Sequence, residues 1–144
     1  MNIGRNEILV GVAILVVAVL IVVPIFVSGS KSGALDEIRD NVEAIRQAEL
    51  QYQEAFGVYV SADAAPRPAH AVDGEAVGWA PSEGFRRLSW APETEAVVGS
   101  YQIQADKSGF KVIGTSDVDG DGQRAIFEAT ADEPAHQVTG SGIY

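Results

Sequence analysis

The chain has 144 residues, no cysteine, and 20 acidic side chains against 10 basic ones, for a formal charge of −10. Lack of cysteine excludes disulfide staples, thiolate metal sites and a cysteine nucleophile. With no basic cluster longer than Arg86-Arg87, the acidic balance also argues against nucleic acid as a partner.

Residues 1–7 form a short polar stub that holds Gly4, Arg5 and Glu7. Ile8 to Val27 then reads ILVGVAILVVAVLIVVPIFV, without a charge and with only Gly11 and Pro24 as helix-weak positions. At about 1.5 Å of rise per residue, a helix of this length spans a hydrocarbon core of roughly 30 Å. A signal-peptide core is shorter and ends in a small-residue cleavage site, whereas Ser28-Gly29-Ser30-Lys31 comes next here. The run is therefore read as a retained membrane helix. Arg5 and the free amine favour an inside N-terminus and an exported remainder, with Lys31 arguing mildly the other way. Residues 28–144 are long enough for one domain with a modest core.

Residues 28–56 are a linker and an amphipathic helix. From Leu35 the apolar positions fall at Leu35, Ile38, Val42, Ile45, Tyr52 and Phe56, with one gap filled by Glu49. Alternating steps of three and four make a one-sided helical stripe, and Gly57 is a plausible stop. From 57 to 98 the periodicity is lost: Pro66 and Pro68 break an alanine-rich run, and Gly74, Gly78, Pro81 and Gly84 come after it. This reads as a long surface loop pinned by Trp79, Phe85, Leu88 and Trp90.

Residues 99–144 read as an antiparallel sheet. Tyr101 to Ala105 and Phe110 to Gly114, joined by Asp106-Lys107-Ser108-Gly109, form a hairpin; Arg124 to Thr130 is a third strand and a piece around Gln137 to Thr139 a fourth. The expected class is α+β, a long hydrophobic then amphipathic helix packed on a C-terminal antiparallel sheet.

One constellation carries chemistry. Asp117, Asp119, Asp121 and Gly122, then five residues, then Glu128, fit the calcium-loop pattern D-x-D-x-D-G-x5-E. Alternate carboxylates on a tight loop converge on one hard cation, glycine permits the turn, and a later Glu closes the shell. The context departs from an EF-hand, because strands rather than helices flank the loop. The other reading is a solvated acidic hairpin loop. Calcium is the expected cofactor.

The uncharged helix, Glu7 at its mouth, Pro24 seventeen residues later, the amphipathic continuation, the loop and the sheet resemble a type IV pilin or pseudopilin. AIRQAELQYQEAFGVY, Ala44 to Tyr59, and GTSDVDGDG, Gly114 to Gly122, are similar to pilin-family sequences of a deltaproteobacterial kind. Family precursors carry a basic leader ending in Gly, with Glu as the fifth mature residue. Here, placing Glu7 in that role starts the mature chain at Ile3, whereas cleavage after Gly4 leaves Arg5 first and Glu7 third. The resemblance implies a structural subunit of a filament, with copies of itself or other pilins as partners. It also implies a single membrane span before assembly, processing by a prepilin peptidase, and an inner-membrane then extracellular location. Glu7 would pair with a neighbouring subunit's amine, and Pro24 would loosen the helix. The competing reading is a singly anchored periplasmic domain whose calcium loop is its working part. No catalytic motif stands in the chain: His70 and His136 are isolated, and an enzyme is not expected.

Overall fold

A computed structural model describes residues 32–144. Gly4, Arg5, Glu7, Pro24 and the apolar run 8–27 lie outside the described residues. No helix among the described residues is long and apolar enough to cross a membrane.

Helix α1 covers 32–56. It ends as its sequence requires: Gly57 takes a φ of 74° and donates its N–H to the Gln53 carbonyl at 2.7 Å, a left-handed stop that costs glycine least. The buried stripe is Ile38, Val42 and Ile45, each fully enclosed, and it continues through Glu49 rather than through an apolar residue. Beyond Glu49 the stripe lifts off the core, and Phe56 is 67% exposed.

That stripe lies on a five-stranded antiparallel sheet. Its strands are β1 (Ala62–Ala65), β4 (Ser100–Ala105), β5 (Phe110–Ser116), β6 (Ala125–Thr130) and β7 (His136–Gln137), in the order β1-β4-β5-β6-β7. From β4 to β7 the chain is the expected meander of sequential neighbours. Period-two alternation turns Ile103, Val112, Phe127 and Ala129 into the core that meets α1. At Gly114 a Cβ would come within 2.5 Å of Val42 Cγ2, so helix and sheet approach too closely there for any side chain. Polar pins fix the helix on the sheet: Asn41 Nδ2 donates to the Tyr101 hydroxyl at 2.8 Å, and Arg46 donates to the carbonyls of Thr130 at 2.6 Å and Ala131 at 2.8 Å.

The segment 57–98 is more ordered than its sequence suggests. The alanine-rich run is strand β1, added antiparallel at the free edge of β4. A short ribbon of β2 (Val77–Gly78) and β3 (Ala96–Val97) encloses helix α2 (Glu83–Leu88). Neither proline falls within β1, so breaking a helix there did not preclude an edge strand. The expected anchors do hold this region: Phe85 is fully buried, and Trp79, Leu88 and Trp90 pack against the core. Trp79, Phe85, Trp90 and Tyr101 meet ring to ring with centroids between 5.2 and 6.3 Å apart, distances at which aromatic pairs attract.

Candidate metal centre

Strand β5 ends at Ser116 and β6 begins at Ala125, so the acidic run connects two neighbouring strands. Two glycines let it turn tightly, Gly120 with φ 68° and Gly122 with φ 86°. The Gly120 N–H reaches the Asp117 carbonyl at 3.3 Å, and the Gly122 N–H reaches Asp117 Oδ2 at 3.1 Å. Alternate residues of the loop thus turn their side chains to one side. One carboxylate oxygen from each of Asp117, Asp119 and Asp121 lies within 4.8 Å of one from the others.

The three carboxylates are not equivalent. Asp119 and Asp121 are exposed, and Asp121 takes the Gln123 N–H on Oδ1 at 2.7 Å and the Gln123 side-chain amide on Oδ2 at 3.0 Å. Asp117 is only 3% exposed, and its Oδ1 is buried with no hydrogen-bond partner. A buried carboxylate oxygen left unpaired costs several kcal/mol unless something cationic reaches it. An all-oxygen set of three carboxylates, one of them enclosed and half unspent, is the donor chemistry of a hard cation. The triad can hold a metal ion.

Glu128, the fourth residue of the sequence pattern, is not brought into this group. It stands in β6 opposite Ile113 and His136, and its Oε2 accepts from Lys111 Nζ at 2.9 Å. The reason is geometric. A helix after the loop folds the twelfth position back toward the ion, whereas a strand advances about 3.3 Å per residue and carries Glu128 roughly 10 Å along the sheet from Ala125. Alternation also sets it on the face opposite Ala125, Phe127 and Ala129.

The loop has neighbours that sequence reasoning missed. The Val118 N–H donates to the Tyr144 carbonyl at 3.1 Å, and Arg124 Nη2 donates to the His70 carbonyl at 2.8 Å. Gly74, with φ 85°, sits so close that a Cβ there would come within 2.8 Å of the Asp117 carbonyl and 3.1 Å of the Val118 carbonyl. The one signal in the sequence is the glycine itself.

Glu49 was visible only as the gap in a stripe. Its side chain is fully buried, and both oxygens share a single donor, the Val60 N–H, at 3.2 and 3.1 Å. Burial pushes its pKa up to about 7, against the smaller downward pull of that hydrogen bond. It ties the turn after α1 to the helix, and contributes nothing to the acidic loop. No known protein family, curated protein or solved structure matches the chain.

Proposed function

We propose that the chain is a structural subunit of a type IV pilus-like filament, held in a membrane by residues 8–27 before assembly. The observation that carries this reading is a juxtaposition along one chain. An uncharged run of membrane length, with Glu7 at its mouth and Pro24 within it, precedes a helix whose Ile38, Val42 and Ile45 are buried on an antiparallel sheet. The first part supplies an apolar segment able to serve membrane and filament in turn, and the second a folded head for the filament surface. In this reading Glu7 is the assembly residue, because a carboxylate in an apolar bundle is stable only when paired with a cation such as a neighbouring amine. Partners are copies of this chain or related subunits. The test is Glu7→Ala in the native cells: membrane insertion persists while the protein disappears from sheared surface filaments. Incorporation at the normal level sinks the assignment.

The ion we assign to the triad is calcium. Asp117 Oδ1 supports this, together with flexible glycine geometry and a donor set free of histidine and cysteine. Oxygens within 4.8 Å of one another share an ion comfortably at Ca–O distances of about 2.3–2.6 Å. A calcium ion would stiffen the β5–β6 connection. A singly anchored calcium-binding domain draws on the same oxygen, and is separated from the filament reading by the shearing experiment, since such a domain stays with the membrane.

A further inference from the structure

Two segments beside the acidic loop each rest on a single apolar anchor, Val72 in one and the half-buried Ile143 in the other. Within 69–75 only Val72 is buried, and within 140–144 no residue is. Val72 and Ile143 anchor them in the core, and Gln137 Nε2 donates to the Ile143 carbonyl at 3.1 Å; both segments also meet the loop directly. The Val118 N–H holds the Tyr144 carbonyl, Arg124 holds the His70 carbonyl, and Gly74 lies against the carbonyls of Asp117 and Val118 with no room for a Cβ. On the other side, a Cβ at Gly120 would meet the Asp73 carbonyl at 3.4 Å. Arg67 ties the same segment further back, donating to Asp73 Oδ1 at 2.9 Å and to the Val98 carbonyl at 3.1 Å. Asp117 is the hinge of this arrangement: its carbonyl faces Gly74, its carboxylate lies within 4.8 Å of those of Asp119 and Asp121, and its Oδ1 is buried without a hydrogen-bond partner.

We infer that a divalent cation on Asp117, Asp119 and Asp121 acts as a latch, locking segments 69–75 and 140–144 against the end of β5. The inference rests on the cation reading of the triad and adds what occupancy regulates. The backbone of Asp117 and Val118 is at once the wall for Gly74 and the donor to Tyr144, so an ion that fixes Asp117 fixes both neighbours. Openings of either segment that disturb the loop also release the ion. Mass action then suppresses them by a factor of one plus the ratio of free ion to Kd, about 100-fold at 100 times Kd.

The test is hydrogen exchange on the full chain in detergent micelles, with Ca2+ as the probe, a chelator as the reference, and calorimetry run in parallel to establish binding. At free Ca2+ of 100 times Kd, amides in 69–76 and 140–144 are expected to exchange about 100-fold more slowly, while the C-terminal end of α1 at 53–57 keeps its rate. Asp119→Asn with Asp121→Asn, both at exposed positions, removes the effect. Gly74→Ala still binds Ca2+ but leaves 69–76 fast; if it fails to fold, the aspartate variant decides alone. Calorimetric binding with protection confined to 117–124 overturns the latch and leaves the cation site standing. Absence of binding overturns both.

Discussion

Glu49 and Asp117 are both buried carboxylates, and the chain treats them in opposite ways. Glu49 lies in the apolar seam between α1 and the sheet, has a single N–H to share between its oxygens, and has its pKa pushed up to about 7 by burial. Asp117 lies at the end of β5 among other acids, gives one oxygen to the Gly122 N–H and leaves the other unpartnered. The first can be neutralised from within by taking up a proton. The second has two further carboxylates within 4.8 Å, and a divalent cation can be shared by all three. A buried acid therefore says little by itself; the count and spacing of the acids around it decide which chemistry it serves.

The comparison can be broken first at the seam. Ile45→Ala removes a fully buried side chain one turn before Glu49, and should cost about 2–5 kcal/mol in thermal or denaturant unfolding, with or without calcium. Loss of calcium binding in that variant while it remains folded would mean that the two regions are not separate.

Next comes the proton. The folded pKa of Glu49 lies above the ordinary value of 4.5, so between about pH 4.5 and 7 the folded state binds more protons than the unfolded one. Its contribution is complete below pH 4.5 and is lost as pH rises to about 7. Relative to Glu49→Gln, wild type should lose on the order of 3 kcal/mol across that window. The slope is the readout, because the glutamine amide brings a donor of its own. Parallel stability curves would show that Glu49 is charged in the fold throughout.

The cation is expected to give a slightly smaller effect. Calcium at 100 times Kd should stabilise wild type by about 2.7 kcal/mol. Asp117→Asn should abolish that gain while keeping the Gly122 hydrogen bond. A calcium response that survives this substitution would remove Asp117 from the site. Smallest of all, Glu128→Gln should leave calcium affinity unchanged and cost under about 1 kcal/mol, since it breaks only a partly exposed pair with Lys111. A tenfold weaker Kd would return Glu128 to the ion.

The range of the forces involved decides how much of this could be read in the sequence. Period carried the helix and the meander: the steps of three and four from Ile38 to Ile45 and the alternation in β4 to β6 are local patterns with one solution each. Spacing carried Asp117, Asp119 and Asp121, because alternate residues on a turning loop share a side. Strand β1 was not legible, since four residues reading Ala-Asp-Ala-Ala take their conformation from the edge of β4 rather than from propensity. Glu128 fits the pattern by count alone, and a strand where the pattern wants a helix carries it elsewhere. The contact of Gly74 with Asp117 joins residues 43 positions apart, which no local signal encodes.

The assembly reading stands above these local tests and has a direct one of its own. Surface filaments are sheared from the native cells, and the intact mass and first residue of this protein in the filament fraction are determined. The expected result is recovery in filaments with the chain starting at Ile3 or Arg5 and a methylated amine, which places Glu7 fifth or third from the new terminus. Recovery only in the membrane fraction, with Met1 still first, would contradict it and leave an anchored calcium-binding domain.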